Sequence, residues 1–334
     1  MVNQVVNQLE NLKDGHGRVH NYLRISLTER CNLRCTYCMP ETGVELQPSS
    51  NYMQADEILK LATLFSELGV NRIRLTGGEP LVRKDFPEIA RGLTKLPVSL
   101  SMTSNGVLID RHIELLEETG IKDINISLDT LKRDRFFHIA KRDDFDKVMS
   151  NIKLLIARGF NIKINAVLIR NFNDNEILDF VEWSRHIKAE VRFIEFMPFN
   201  GNHWAWKEIF PFAKVMELAH ENYELEKVED GPNSTSKIYR VKDGIGTFGM
   251  IASMTNPFCD TCNRIRLTSD GKIRNCLFSE SESDLLGPMR RGEDVEALIR
   301  ASIDKKHAKH GGIAAISKLS ETDFQGRSMI RIGG

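Results

Sequence analysis

Six short runs of alternating apolar and polar residues, separated by longer amphipathic stretches, constrain this chain more than anything else in it. The runs cover roughly residues 22–28, 72–77, 98–104, 123–129, 161–169 and 190–197. Between them, residues 54–68, 110–119, 145–158 and 175–186 read as helices, each closing near a glycine or a polar turn. Strands that alternate with helices pair in parallel, because a parallel crossover needs about the length of a helix to bring the chain back. Six βα units predict an α/β fold: a partial, TIM-like (β/α)6 barrel over residues 1–220. Residues 221–334 are expected to form a C-terminal, partly antiparallel extension.

Successive side chains of a strand point to opposite faces. If Leu23, Ile25 and Leu27 face the outer helices, Arg24, Ser26 and Thr28 face inward. The same parity turns Arg74, Thr76, Ser101, Thr103, Asn125, Ser127, Asp129, Lys163, Asn165 and Arg192 into the lumen. A closed barrel fills that space with branched apolar side chains. A lumen of Ser, Thr, Asn, Lys and Arg could not pack dry without leaving polar groups unpaired. The expectation is therefore an open, solvated cavity whose cations Arg24, Arg74, Lys163 and Arg192 hold a large anionic ligand. A half-exposed antiparallel sheet also alternates, although the intervening helices favour parallel crossovers.

Any anion site must be local, because 46 basic and 46 acidic residues cancel and leave no whole-surface attraction to nucleic acid or membrane. The first twenty residues are polar, with no apolar run of membrane-spanning or signal-peptide length, so a cytoplasmic protein is expected.

All six cysteines fall in two triads, Cys31, Cys35, Cys38 and Cys259, Cys262, Cys276. Tight spacings in a reducing compartment favour metal ligation over disulfides. The first triad, CxxxCxxC, directly follows a strand; three thiolates can hold three irons of a [4Fe–4S] cube and leave the fourth open to another ligand. Zinc is the alternative, but it usually takes four ligands in paired short spacings, and this run offers three with no histidine close by. In the second triad thirteen residues separate a CxxC pair from Cys276, and Ser269-Asp270-Gly271 reads as the turn of a hairpin that carries Cys276 back. A zinc ribbon short of one ligand is the alternative there.

The run CNLRCTYCMP (31–40), with Tyr37 directly before its last cysteine, resembles the radical S-adenosylmethionine (SAM) superfamily, and RLTGGEPL (74–81) resembles its GGEP loop. Adding SLD (127–129), FIEFMPFNG (193–201), CNRIRLTSDG (262–271) and the closing Gly333-Gly334, the resemblance covers almost the whole chain and narrows to the GTP 3′,8-cyclase family. That resemblance implies two [4Fe–4S] clusters of three cysteines each, and SAM contacts at Tyr37, Gly78, Ser127 and Met197. It further implies a GTP site at Arg24, Arg74, Thr103, Lys163, Arg192, Arg264 and Arg266, with Arg264, Arg266, Gly333 and Gly334 as catalytic residues. Four of these cations are the ones the strand parity already turns inward. The implied activity is the radical cyclisation of GTP in molybdenum cofactor biosynthesis. The implied partners are an electron donor, a second copy in a homodimer, and the cyclic pyranopterin monophosphate synthase that takes the product.

A radical SAM protein that modifies a peptide or RNA, with the second cluster serving electron transfer alone, and a non-enzymatic zinc module are the competing readings. Trp204 and its neighbours read as a packed loop, residues 305–310 as a solvated helix end, and the acidic stretch 221–230 as a surface linker.

Overall fold

A computed structural model describes residues 11–39, 42–313 and 326–333. Among the described residues twelve strands form one sheet: β1 (Tyr22–Ser26), β2 (Arg72–Thr76), β3 (Ser99–Ser104), β4 (Asp123–Ser127), β5 (Asn161–Leu168), β6 (Glu190–Glu195), β7 (Leu225–Lys227), β8 (Lys237–Val241), β9 (Thr247–Ile251), β10 (Arg264–Leu267), β11 (Lys272–Arg274) and β12 (Ser283–Asp284). Their spatial order is β12-β11-β10-β1-β2-β3-β4-β5-β6-β9-β8-β7. The six expected parallel strands are neighbours in chain order. Strands β10 and β9 extend the parallel run at its two ends, beside β1 and β6. The antiparallel part of the C-terminal region is confined to β7–β8–β9 and β10–β11–β12. The barrel is thus partial, and its polar lumen can stay wet.

The outer face explains the helices. In the helix Ala55–Glu67, Ala55, Ile58, Leu61, Ala62 and Phe65 are buried, an i, i+3, i+4, i+7 stripe. A capping box starts it, the Gln54 N–H donating to the Glu57 carboxylate at 2.8 Å. That stripe joins Leu23, Ile25, Ile73, Leu75, Ile124, Ile126, Ile162, Ile164, Val191 and Phe193 in one core. Each fully buried Leu or Ile side chain contributes about 1.5–3 kcal/mol, so outer packing fixes the parity that turns the polar residues inward.

The stretch 221–230 is not merely a linker: Leu225–Lys227 is an edge strand paired with β8. Three residues between acidic neighbours are too few for a readable period. Trp204 is packed, as expected, with 1% of its surface exposed and its indole N–H donating to the Phe196 carbonyl at 2.9 Å. No helix among the described residues is long and apolar enough to cross a membrane.

The chain enters β1 through a turn closed by the Lys13–Val19 bridge. Asp14 organises it, accepting from the Arg18 guanidinium at 2.6 Å and from His20 Nε2 at 2.9 Å. Burial, then the charge of Lys306, pushes His20 down to about 4. Between its ordinary value and about 4 the unfolded chain binds the extra proton, so His20 withdraws stability as pH falls through that window, about 2 kcal/mol by pH 5. Glu79 and Asp129, raised by burial to about 7 and about 6, act in the opposite direction. The check is therefore a difference: from pH 7 to pH 5 the melting temperature of the wild type is expected to fall relative to that of His20→Asn.

Candidate active site

Because β10, β1 and β2 run parallel, their two ends carry different parts of the site. Cys31 and Gly77-Gly78 follow the C-terminal ends of β1 and β2, whereas Cys259 and Cys262 lead into the N-terminal end of β10. Tyr22 is level with Arg264, and the Thr28 carbonyl accepts from the Gly78 N–H at 2.6 Å. Six residues of extended chain between those levels span about 20 Å. The triads sit at opposite ends of the lumen.

At the first end, Gly77 has φ of 150°, and a Cβ there would lie 2.7 Å from the Thr28 carbonyl oxygen. A Cβ on Gly78 would lie 2.8 Å from the Arg30 carbonyl carbon. The two glycines let the β2 loop lie against the cysteine loop backbone to backbone. Glu79, fully buried, accepts from the Leu81 and Asn105 N–H groups and from Ser104. Cys31 Sγ accepts from the Leu33 N–H at 3.4 Å and from Asn105 Nδ2 at 3.6 Å. Burial pushes Cys31 up to about 11 and raises Cys35 and Cys38 as well.

Along the lumen, the register places Arg266, Arg24, Arg74 and Ser101 on one rung. Asn125 and Lys163 pair on a second, and Ser127, Asn165 and Arg192 on a third. Thr103 pairs with Asn125. The Tyr22 ring lies 5.4–5.8 Å from the guanidinium carbons of Arg24, Arg72 and Arg74. Arg192 pairs with Glu190 at 2.6 Å and Lys163 with Asp123 at 3.7 Å. These carboxylates offset part of the charge. Burial and then neighbouring cations lower Arg74 to about 10, and burial, Arg24 and Arg264 hold Arg266 well below its ordinary value. Arg24 Nε, Ser26 Oγ, Asn125 Oδ1 and Asn165 Oδ1 are buried without a hydrogen-bond partner among the described residues. Crowded cations and orphaned polar atoms make a cavity that favours a polyanion.

At the second end, β10 and β11 form the expected hairpin through Asp270-Gly271, returning Cys276 to the CxxC pair. Burial would raise Cys262, but Arg264 and Lys306 outweigh it and bring the thiol down to about 6. All six cysteines are free of disulfides. Among the described residues no three His, Cys, Asp or Glu side chains are gathered tightly enough for a single metal ion; a cube takes one thiolate per iron and does not need them to converge on a point.

The C-terminal segment 326–333 lies against the lumen wall, Gly333 beside Ser26 and Thr76. The Ile330 N–H donates to the Cys38 carbonyl at 3.4 Å, and Arg266 donates to the Gly333 carbonyl. Arg327 pairs with Asp270 at 2.7 Å and with Glu282 at 2.7 Å. Ile332 belongs to a small core with Phe196, Phe199, Trp204 and Phe278, against which Tyr37, Met197 and Cys276 pack. Gly334 lies outside the described residues. Arg24, Arg74, Thr103, Ser127, Lys163, Arg192, Arg264 and Arg266 share the inward parity of the sheet, while the cysteines lie on the loops beyond the strand ends.

Two curated relatives decide the kinship: the mitochondrial GTP 3′,8-cyclase of Arabidopsis thaliana, 46% identical over 97% of this chain and 83% of that protein, and the GTP 3′,8-cyclase of Peptoclostridium acidaminophilum, 40% identical over 97% of this chain and 98% of that one. The chain belongs to the GTP 3′,8-cyclase family. The family model described as Radical SAM superfamily matches residues 25–184, and the one described as Molybdenum Cofactor Synthesis C matches residues 189–312. The human molybdenum cofactor biosynthesis protein 1 is 42% identical over 92% of this chain, which spans 50% of that longer relative. Among solved structures, Streptococcus suis SuiB bound to S-adenosylmethionine superposes with a TM-score of 0.61 at 15% identity, over 91% of this chain and 67% of that one, and supports the fold.

Reading the sequence misses Tyr22, Asn105, Lys306 and Arg327. Tyr22 shares the inward parity of Arg24 and was findable on that ground. Asn105 follows β3 as the glycines follow β2, and position after a strand end is the only hint it gives. Lys306 and Arg327 act through partners far along the chain, which no local pattern encodes.

Proposed function

We propose that this chain cyclises GTP to (8S)-3′,8-cyclo-7,8-dihydro-GTP, the first step of molybdenum cofactor biosynthesis, using SAM and iron–sulfur chemistry. The observation that carries the reading is a lumen of crowded cations and orphaned polar atoms between two cysteine triads, in a chain of this family. The donor sets fit the groups: free thiols at both ends, with N–H donors on Cys31 of the kind that stabilise a cluster-bound sulfur.

Cys31, Cys35 and Cys38 would hold the cluster that binds SAM, and Tyr37, Gly78, Ser127 and Met197 would contact the SAM itself. Cys259, Cys262 and Cys276 would hold a second cluster, which would bind the guanine. When bound, SAM and its cluster would supply, with one electron from the external donor, the radical chemistry that removes the ribose 3′-hydrogen; forming the C3′–C8 bond would then take up one further electron and one proton to give the dihydro product. Arg24, Arg74, Lys163, Arg192, Arg264 and Arg266 would grip the triphosphate and ribose, with Thr103 beside them. Arginine suits this task because its planar fork donates to two phosphate oxygens at once. Arg264, Arg266, Gly333 and Gly334 would form the catalytic group that closes on the reacting ribose. Residues 1–220 would supply the SAM end and residues 221–334 the guanine end. A homodimer, an external electron donor, a cytoplasmic location and delivery of the product to cyclic pyranopterin monophosphate synthase complete the proposal.

Removing a buried cation that donates to phosphate costs about 1.5–3 kcal/mol, roughly tenfold to a hundredfold in affinity. Arg266→Ala is therefore expected to weaken GTP binding by that factor in anaerobic calorimetry. Unchanged affinity and turnover would remove the nucleotide assignment.

A further inference from the structure

The lysine- and histidine-rich segment 305–310 reads in the sequence as a solvated helix end, and for Lys306 the structure reverses that. Lys306 is only 4% exposed. Its Nζ donates to the Arg264 carbonyl at 2.9 Å and to Cys262 Sγ at 3.5 Å, its two acceptors among the described residues. A buried ammonium is costly unless an anion faces it. Here the facing group is a thiol of the second triad.

The surroundings hold that ammonium in place. Arg18, anchored by Asp14, donates to the Cys259 carbonyl at 2.8 Å and to the carbonyls of His307 and Ala308 at 2.8 and 2.9 Å. The N-terminal turn and the segment after Lys306 are thereby latched onto the CxxC loop from both sides. A lysine so fixed is not free to swing to solvent.

We propose that Lys306 is a resident counter-charge of the second cysteine triad, additional to Arg264, and a positioning residue that raises the reduction potential of the cluster held there. The inference rests on the reading that this triad holds a cluster. A reduced cluster carries one more negative charge than an oxidised one. A cation donating to a ligand sulfur stabilises the reduced form more, so the potential rises.

The test uses the full chain with Cys31, Cys35 and Cys38 replaced by alanine, so that the second triad alone is loaded with iron and sulfide anaerobically. The potential is read by redox titration followed by electron paramagnetic resonance of the reduced cluster. Lys306→Met is expected to shift the midpoint to lower potential and to alter the g-values, while Lys306→Arg stays near the parent. An unchanged midpoint and spectrum in a fully loaded Lys306→Met overturns the inference. If Lys306→Met loads no iron, Lys306→Gln takes its place with the same two outcomes. Loss of iron from both neutral variants but not from Lys306→Arg, with secondary structure intact, supports the assignment, because the charge is then needed to hold the cluster at all. Loss from the arginine variant as well assigns Lys306 to packing and overturns it. No iron in the parent removes the second-cluster reading, and this inference with it.

Discussion

Alanine at Gly78 is expected to strip the first cysteine triad of its cluster while leaving the lumen able to bind nucleotide. A Cβ at that position meets the Arg30 carbonyl group, 2.8 Å from its carbon, and lies 3.1 Å from the Glu29 carbonyl oxygen. Neither backbone can retreat, since the Gly78 N–H donates to Thr28 and the Glu79 N–H to Arg30, at 2.6 and 2.9 Å. Overpacking of this kind costs about 1–3 kcal/mol, and the segment that must move ends on Cys31. Iron and sulfide content is expected to fall to that of the second triad alone. Formation of 5′-deoxyadenosine should drop by about a hundredfold, the rate equivalent of roughly 3 kcal/mol. Full iron content with undiminished SAM cleavage would show that the two loops do not need to touch.

Gly333→Ala is expected to do the reverse, sparing the iron and abolishing cyclisation. Gly333 has φ of +83°, and a Cβ on it would lie 2.7 Å from both Ser26 Cβ and Thr76 Oγ1, on the lumen wall. The left-handed backbone alone costs a non-glycine residue about 1–2 kcal/mol, and the clash adds to it. The tail is then displaced and Arg266 loses the Gly333 carbonyl it donates to. Arg266 is then no longer held in place by that carbonyl, and misplacing one donor at a reacting centre lowers turnover by about 10²–10³. The measurement is GTP cyclisation alongside GTP-independent SAM cleavage and iron content, with only the first expected to change. Wild-type cyclisation would leave the tail without a catalytic role.

The lumen was legible in the sequence because strand parity has a period of two and outer apolar packing enforces it. Arg24, Arg74, Lys163 and Arg192 all emerge on the inner face from that rule alone. The parallel placement of β9 and β10 was not legible, since strands of five and four residues reached through irregular segments carry no βα rhythm. Cys276 could be returned to its partners because an Asp-Gly turn is a local device. Lys306 could not be placed, because among other lysines and histidines nothing distinguishes a buried ammonium from a solvated one. Glu190 lies two residues before Arg192 on the same strand, so parity alone puts the two on one face, whereas the pairing of Asp123 with Lys163 depends on the register of β4 against β5.

A lumen that brings SAM and the GTP ribose together must pass the ribose 3′-hydrogen to 5′-deoxyadenosine. Reconstituted protein is incubated anaerobically with SAM, dithionite and GTP deuterated at the ribose 3′ position, and the 5′-deoxyadenosine formed is analysed by mass. Deuterium is expected in that product, and only when GTP is present. Unlabelled 5′-deoxyadenosine, formed equally without GTP, would contradict it.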